Sequence, residues 1–204
     1  MWSCRAKKLT IPFVASGGVG NGRQLAAALA LGAAGVNMGT RFMATREAPI
    51  HANIKAALVE GTERSTTHVF RSLKVSLMTS AFCFFYFYSR LTPLYSFPTL
   101  HHPHVLRFLK NTERVYKNAQ ATKVRDAEAV SPGDFGAIRP YVSGSMYKDS
   151  FQTTGDTQSS VWSAGVVMGL IEDVPSCAEL LERMVAEAEA VIGGMGAFTT
   201  SSKL

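Results

Sequence analysis

Two stretches of sequence decide the fold: Ile11-Pro-Phe-Val-Ala-Ser-Gly-Gly-Val-Gly-Asn-Gly-Arg-Gln24 and Gly35-Val-Asn-Met-Gly-Thr-Arg-Phe42. In the first, the short apolar run Phe13–Ala15 is typical of a strand buried on both faces, and a glycine turn follows it. The second is another short strand that ends in a glycine turn. Together they predict a βαβ unit with glycine at the carboxyl end of both strands.

The helix between the two strands has recognisable ends. Asn21 is a good N-cap residue, and Gln24 follows it at the spacing of a capping box. The run from Leu25 to Leu31 consists entirely of strong helix formers, and Gly32 predicts the end of the helix.

The two glycine turns predict a phosphate site. Without a Cβ, the N–H groups of Gly17, Gly18 and Gly39 can close on a phosphate, and the Thr40 hydroxyl adds a donor. In (β/α)8 barrels such a site commonly lies on the loops after the last two strands. The alternative is that the glycines only make tight turns, which is an equally good explanation for either turn alone.

These motifs resemble those of the nitronate monooxygenase family, whose members are FMN-dependent (β/α)8 barrels related to flavin enoyl reductases. The resemblance rests on Ala15-Ser-Gly-Gly18 followed by Gly22-Arg23, and on Asn37-Met-Gly-Thr-Arg-Phe42. It implies that FMN is the cofactor and that these turns hold its phosphate. The implied cofactor-binding residues are Gly18, Asn37, Met38, Gly39 and Thr40, and the access to its N–H adds Gly17. Position 37 is often Gln in relatives, so Asn37 is a departure.

The chain is short for a complete barrel. It has 204 residues, whereas a (β/α)8 barrel usually needs roughly 250, and only two barrel strands are legible. The family's first strands have no counterpart before Met1. We therefore expect an α/β fold that is a partial (β/α)8 TIM barrel: the carboxyl-terminal portion, with the FMN phosphate-binding half and a small helical part.

The resemblance divides the chain into four parts. Residues 1–74 form the βαβ unit with the phosphate site, and residues 111–197 form the helical part and final barrel helices. Between them, residues 75–110 are an insert rich in aromatic residues, Pro and His, because joining Ser72-Leu-Lys74 to Asn111 restores the family's sequence. We interpret the insert as a translated intron; the alternative is a lineage-specific loop. Residues 198–204 are expected to be a flexible tail.

Periodicity predicts the remaining elements. A helix is expected over 50–60 and a short strand over 66–71, followed by a helix over 111–130 and an irregular region over 138–145. Ser176 and Glu179 have capping-box spacing at the start of the last helix, and Gly193-Gly194 is expected to end it. One apolar stripe of that helix is expected to pack in the core: Leu181, Met184, Val185, Ala188 and Ile192.

Two further segments have family counterparts. Ser163-Ala-Gly165 matches the Ser-Ala-Gly-Gln motif that relatives carry near the cofactor, but position 166 is Val. The alternative is that these small residues simply follow a packed Trp162. By resemblance, Tyr147 and Lys148 are expected to line a substrate mouth.

The resemblance implies oxidation of an alkyl nitronate by O2 to a carbonyl compound and nitrite. The family's catalytic histidine follows an Ala-Gly-Gly turn, and none of the 5 histidines here lies in such a motif. We therefore assign no catalytic residue. Two alternatives stay open: a truncated, non-catalytic fragment of such an enzyme, and a flavin enoyl reductase that uses a nicotinamide.

Composition excludes several other classes. The net charge is +6, but Lys and Arg are scattered, so we expect no nucleic-acid partner. The 3 cysteines are far apart without a CxxC pair, and we expect no disulfide or metal site. The apolar run from Leu77 to Tyr88 is too short to span a bilayer. No secretory signal is visible at the start of the chain.

The last three residues predict a location. Ser202-Lys203-Leu204 matches the peroxisomal address that is read from a free carboxyl terminus. We therefore expect the peroxisome, with a peroxisomal import receptor as partner; the alternative is the cytoplasm.

Overall fold

A computed structural model describes residues 12–73 and 112–200 of the chain, with side chains described as far as residue 195. The insert predicted over 75–110 lies outside the described residues, and so does the terminal tripeptide Ser202–Leu204.

A βαβ unit opens the described chain, as the sequence predicts. Strand β1 is Val14–Ser16, helix α1 is Gly22–Ala30 and strand β2 is Gly35–Asn37. The two strands are parallel, with Val14 opposite Gly35 and Ser16 opposite Asn37. Both glycine turns therefore leave the strand pair at the same end.

Helix α1 has the predicted ends. Asn21 Oδ1 accepts a hydrogen bond from the Gln24 N–H at 3.1 Å, and Gln24 Oε1 accepts from the N–H of Gly20 at 2.7 Å. In a standard capping box Gln24 would accept from the N–H of the N-cap residue Asn21, whereas here it accepts from the residue before it. At the other end, the N–H of Ala33 donates to the carbonyl of Ala28 around Gly32, whose φ is +92°. This is the Schellman ending that favours glycine.

The prediction that β1 is buried on both faces is wrong. Ala15 packs against Ala28 and Ala33 on the helical side of the sheet, but Val14, on the other side, is 57% exposed. The reason is that β1 pairs only with β2 among the described residues, so no further strands cover its second face.

Two short helices follow β2. Helix α2 is Thr40–Met43 and helix α3 is Ala52–Glu60. His51, predicted to lie inside a helix, instead caps α3, and its Nδ1 accepts from the N–H of Asn53 at 3.2 Å. Gly61 is the C-cap of α3, so the helix ends at residue 60 as predicted. The buried face of α3 carries Ile54 and Leu58 into the largest core cluster, around Trp162 and Met168.

A second sheet begins where the sequence predicts a strand. Strand β3 is Thr66–Val69, and it pairs antiparallel with β4, Glu113–Tyr116. The helix predicted over 111–130 is therefore wrong for its first residues: helix α4 is Ala119–Val130. Val115 is fully buried, and pairing with a distant strand overrides the helical composition here.

A segment near Trp162 extends this sheet. The N–H of Ala164 donates to the carbonyl of Arg114 at 3.2 Å, and the N–H of Tyr116 donates to the carbonyl of Trp162 at 3.0 Å. The indole of Trp162 is buried and stacks on Tyr116, with ring centroids 4.4 Å apart. The Ser163–Gly165 motif is thus held at the sheet edge.

The region over 138–145, predicted to be irregular, is largely short helical turns. Helix α5 is Phe135–Ile138, and a 3-10 turn covers Arg139–Tyr141. Helix α6, Gly144–Lys148, runs into a π-helical segment, Asp149–Thr154, which ends at Gly155 with φ +66°. Proline and glycine shorten these helices rather than abolish them.

Helix α7, Cys177–Thr200, is the last element. The N–H of Glu179 donates to Ser176 Oγ at 3.2 Å, and the N–H of Ser176 donates to Glu179 Oε2 at 2.8 Å. The predicted capping box is therefore confirmed. The prediction that Gly193-Gly194 ends the helix is wrong, because α7 continues to Thr200. No helix in residues 12–73 or 112–200 is long and apolar enough to cross a membrane.

Helices α1 and α7 pack closely against each other through Gly22. A Cβ at this position would meet the main chain of Met184 and Ala188. The N–H of Gly22 donates to Glu187 Oε2 at 2.7 Å, and Arg23 pairs with the same carboxylate at 3.3 Å. The side chain of Met184 completes the contact by packing in a buried cluster with Leu180 and Val19.

Candidate functional site

The two glycine turns lie side by side at the end of the β1–β2 pair. The N–H of Gly17 donates to the carbonyl of Asn37 at 3.1 Å, one step beyond the last strand pair. Asn37 Nδ2 also donates to Ser16 Oγ at 3.2 Å. These two bonds bring the turn at Gly18 next to the turn at Gly39.

The glycines of these turns are open to solvent. Gly17 and Gly18 have φ of +84° and +76°, a backbone conformation that residues with a side chain rarely adopt. A Cβ built on Gly18 or Gly39 would meet no atom within 4 Å. In the part of the chain that the structure describes, no hydrogen-bond partner is found for the N–H of either residue. The two turns therefore leave room for a ligand to reach the main chain.

Gly17 behaves differently from the other two glycines. Its N–H, which the sequence predicts as a phosphate donor, is hydrogen-bonded to Asn37. Gly17 therefore shapes the turn, and Gly18 and Gly39 keep the available amides. Met38 is half-buried and packs in the cluster around Leu180, so only its main chain can face a ligand.

Thr40 connects the turn to the Ser163–Gly165 motif. Thr40 Oγ1 accepts a hydrogen bond from the N–H of Gly165 at 2.9 Å. Because a hydroxyl both donates and accepts, its hydrogen remains available for an anionic oxygen. The structure thus brings together two motifs that are 125 residues apart in the sequence. Val166, which replaces the Gln expected after this motif, has a side chain that is 46% exposed.

Gln24 holds the first turn in place. Its Nε2 donates to the carbonyl of Gly18 at 2.8 Å, while its Oε1 accepts from the N–H of Gly20. The side chain therefore closes the loop from both directions and leaves the Gly18 N–H outside. The sequence predicted Gln24 only as a capping residue. Its position shortly after Gly18 was the signal that it could also bind the turn.

Arg41, in the Thr-Arg-Phe motif, is not a solvent-facing cation. It is 2% exposed and donates from Nη2 to Asp173 Oδ1 at 2.7 Å and from Nη1 to the Asp173 carbonyl at 3.1 Å. Burial lowers the pKa of its guanidinium, and Asp173 opposes that shift. Arg41 therefore anchors α2 beneath the turn, and sequence reasoning missed this role because Asp173 is 132 residues away.

Asp173 binds a second arginine as well. Arg183 donates to its Oδ2 at 2.6 Å and to its Oδ1 at 3.0 Å. The hydrogen bond from Arg183 is the main reason that the pKa of Asp173 lies below its ordinary value, and the charge of Arg41 acts in the same direction. One carboxylate thus joins α2 to α7.

A carboxylate lies beside the Ser163–Gly165 motif. Ser163 Oγ donates to Glu113 Oε1. Burial raises the pKa of the Tyr147 phenol, and the charge of Glu113 adds to that shift. Tyr147 also stacks on Phe151, with ring centroids 4.7 Å apart. Tyr147 is nevertheless 40% exposed, and Lys148 is exposed as well.

The two described histidines lie away from these turns. His51 caps α3 and fills the space against Gly155. The pKa of His68 is lowered by burial and by the charges of Arg114 and Arg71. His101, His102 and His104 lie outside the described residues. Within the described ranges, no group of three or more His, Cys, Asp or Glu residues is arranged to hold a metal ion.

A small cleft adjoins the second turn. It has a volume of about 350 Å³, and its lining residues include Gly39, Phe42, Met43, Ile50 and Cys177. Its walls are mostly apolar, so the cleft suits an apolar group better than a phosphate.

Residues 4–75 match the family described as nitronate monooxygenase. The predicted resemblance to that family is confirmed, and the matched segment contains both glycine turns. A nitronate monooxygenase from Metarhizium robertsii, npaC, is 53% identical over 53 residues, which is 26% of this chain and 15% of that protein. This relative therefore matches only a short part of the chain.

A longer match extends beyond that segment. A protein from Rhodococcus jostii is 32% identical over 198 residues, covering 92% of this chain and 52% of that protein. Its name is (3aS,4S,5R,7aS)-5-hydroxy-7a-methyl-1-oxo-octahydro-1H-indene-4-carboxyl-CoA dehydrogenase. The chain therefore spans about half the length of the relatives that match most of it.

The fold is shared with solved structures. FabK from Thermotoga maritima superposes with a TM-score of 0.69 at 22% identity, covering 95% of this chain and 49% of that one. At this identity the similarity shows the fold alone. The predicted α/β class is confirmed.

The Asp173 carboxylate makes stability depend on pH. A carboxyl whose pKa is lowered on folding stabilises the protein above its unfolded pKa of about 3.9, and this contribution is lost as pH falls through the folded value. Above about pH 5, we expect the urea midpoint of unfolding to be lower for Asp173→Asn than for the unchanged chain. The difference between the two midpoints should shrink as the pH falls towards about 3. The control is Asp126→Asn, the same change at an exposed position of α4. A difference that stays constant with pH would contradict the assignment.

Proposed function

We propose that this chain is the FMN phosphate-binding part of an oxidoreductase that resembles nitronate monooxygenase, built on a partial (β/α)8 barrel. The observation that carries the proposal is the pair of adjacent, open glycine turns, with the Thr40 hydroxyl tied to Gly165. Support for the fold comes from the parallel βαβ unit, which is the repeating element of such a barrel.

The residues present fit a phosphate. The available N–H groups of Gly18 and Gly39 and the hydroxyl of Thr40 would hold its oxygens, and the main chain at Asn37 and Met38 completes the turn. A Cβ at Gly39 would project into the open space that the phosphate needs. When bound, FMN supplies the capacity to accept electrons from the substrate and pass them on.

The proposed reaction is the oxidation of an alkyl nitronate by O2 to a carbonyl compound and nitrite. In this reaction the chain's own part is to hold and orient the cofactor through its phosphate. Glu113 accepts a hydrogen bond from Ser163 of the motif that meets Thr40, and its charge acts on Tyr147, so these residues are candidates for lining the substrate side. No described residue is assigned the role of catalytic base.

Gly39 offers the cleaner test of the phosphate site. Its φ is −103°, which any residue can adopt, so a side chain there does not strain the backbone. We expect Gly39→Val to weaken FMN binding at least about tenfold, because the new side chain occupies the phosphate position. The measurement is quenching of FMN fluorescence on titration with the purified chain.

The matched control for that experiment is Gly35→Val. Gly35 lies at the other end of the same strand, and a Cβ there also meets no atom within 4 Å. Equal FMN affinity in the two variants would refute the phosphate assignment. If the unchanged chain holds no FMN at all, the non-catalytic fragment becomes the better description.

A second candidate is a flavin enzyme that acts on a CoA thioester. The observation that favours it is the extent of the match: the Rhodococcus protein, a carboxyl-CoA dehydrogenase, aligns with 92% of this chain, whereas npaC aligns with 26%. The flavin enoyl reductase expected as an alternative from sequence also belongs to this class of thioester chemistry.

The products separate these candidates. The tested protein is this chain joined to the half that is found only in its relatives. With propyl nitronate and O2, we expect it to release one nitrite for each nitronate consumed. A CoA-linked enzyme would instead bleach its flavin when an acyl-CoA thioester is added without O2, and would release no nitrite. The measurements are a colorimetric nitrite assay and the flavin absorbance. The nitronate proposal would be overturned if acyl-CoA bleaches the flavin and propyl nitronate with O2 yields no nitrite.

We also propose that the chain is imported into peroxisomes through Ser202-Lys203-Leu204. The support is that this tripeptide matches the peroxisomal address. A fluorescent protein carrying residues 195–204 at its carboxyl end is expected to collect in peroxisomes. Removal of Leu204 is the control and should return the reporter to the cytosol. A diffuse signal from the intact tail would favour the cytoplasm.

A further inference from the structure

A group of cationic side chains lies together at the second sheet. In the antiparallel register, His68 of β3 is directly opposite Arg114 of β4. The N–H of Lys117 donates to the carbonyl of Ser65, three steps before this pair in the same register. Because hydrogen-bonded pairs alternate along an antiparallel ladder, His68 and Arg114 form a pair without mutual main-chain bonds, in which side chains are closest. Burial and the charges of Arg114 and Arg71 lower the pKa of His68, so Arg71 lies close to this pair. We call His68, Arg71 and Arg114 the cationic cluster.

No carboxylate among the described residues forms an ion pair with the cationic cluster. Arg114 donates from Nη1 to Thr66 Oγ1 at 3.0 Å, and the other N–H groups of its guanidinium stay available. Glu113 precedes Arg114 in sequence, and Glu128 binds the residue after Arg71. Each of these carboxylates accepts a hydrogen bond from a serine hydroxyl instead. The cationic cluster is therefore a positive surface that can take an anion.

The turn between β3 and Arg71 is strained. Phe70 has φ +59°, and among the described residues it alone has a positive φ without being glycine. A bulky residue rarely adopts this conformation. The side chain of Phe70 packs against the buried cluster that contains Val69 and Val115, which holds the turn in place. Strain of this kind concentrates at ligand sites, so it is a second sign that the placement of Arg71 serves binding.

Two consecutive residues connect the cationic cluster to the Gly39 turn. The N–H of Ala164 donates to the carbonyl of Arg114 at 3.2 Å, and the N–H of Gly165 donates to Thr40 Oγ1 at 2.9 Å. Because consecutive Cα atoms are only about 3.8 Å apart, the main chain of Arg114 lies within roughly 15 Å of Thr40. A ligand held at the cationic cluster can therefore extend a further group towards the glycine turns.

We propose that the cationic cluster binds the diphosphate group of a nucleotide, at a site separate from the one proposed for the flavin phosphate. The diphosphate that links the two parts of a nucleotide coenzyme carries two negative charges, which match the two guanidiniums. Each guanidinium can bind phosphate oxygens through two N–H groups, and His68 adds a ring nitrogen on the same face as Arg114. Since Arg71 is three residues beyond His68, up to about 10 Å along the chain, the cluster is wide enough for more than one phosphate.

The test is calorimetric titration of the 204-residue chain with ADP, without added FMN. We expect one ADP to bind per chain, and we expect Arg71→Gln and Arg114→Gln each to weaken binding at least about tenfold. Arg71 is exposed, so its substitution should leave the fold intact, which circular dichroism checks for each variant. The control is Arg125→Gln, the same change at an exposed position of α4 whose charge is not among those that shift the pKa of His68.

Two further measurements locate the ligand and identify its source. In nuclear magnetic resonance spectra, ADP should shift the imidazole resonances of His68 and leave those of His51 unchanged. Coenzyme A and the nicotinamide dinucleotides both contain an adenosine diphosphate, so the titration is repeated with coenzyme A and with NADH. The one that binds more tightly than ADP is the source, and equal affinities mean that the chain contacts only the shared group.

Three results would overturn the inference: no binding of ADP by the unchanged chain, inorganic phosphate that binds as tightly as ADP, or equal weakening by Arg125→Gln. Gly39→Val should lose FMN and keep ADP, whereas Arg71→Gln should lose ADP and keep FMN, so a failed flavin site and a failed diphosphate site are told apart. Loss of ADP in Gly39→Val would place ADP at the flavin phosphate site and would also refute a separate site.

Discussion

The shared carboxylate of Asp173 is the interaction on which the arrangement of this molecule depends. A guanidinium as buried as that of Arg41 is tolerated only with a partner, and removing the partner of a buried ion typically costs about 3–5 kcal/mol. Because the side chain of Asp173 is 44% exposed, solvent screening reduces that figure here. The pair fixes α2 immediately after the Gly39 turn, and Arg183 extends the link to α7. The position of the Gly39 turn is thus set by contacts below it.

The candidate site is assembled from segments that are distant in sequence. Gln24 closes the first turn, Asn37 joins the two turns, and Thr40 accepts from Gly165 beyond them. Each contact uses a main-chain or short polar group, so the ligand side of the turns remains free of bulky side chains. These few residues therefore stabilise the turns and still leave the N–H groups of Gly18 and Gly39 open.

The elements that were predicted correctly from sequence are those specified locally. The caps of α1 and the capping box of α7 depend on residues three or four positions apart, so their signals are complete within a short window. Strand β4 was missed because its pairing with β3 is a distant contact. The exposure of Val14 was missed because burial of a strand depends on its neighbours. Gly193-Gly194 was misjudged because glycine inside a long helix is a modest cost that packing can offset.

The close contact at Gly22 has a consequence for the way α7 is oriented. Gly22 lies against the main chain of α7, and its N–H holds Glu187, so the helix is fixed at a single rotational setting about its own axis. Any turn of α7 that carried Val185 inward would break the Glu187 bond and push the helix away from α1. The half-exposed residues Leu181, Val185, Ile192 and Met195, the first three of which were predicted to pack in the core, are therefore held in one fixed position relative to α1.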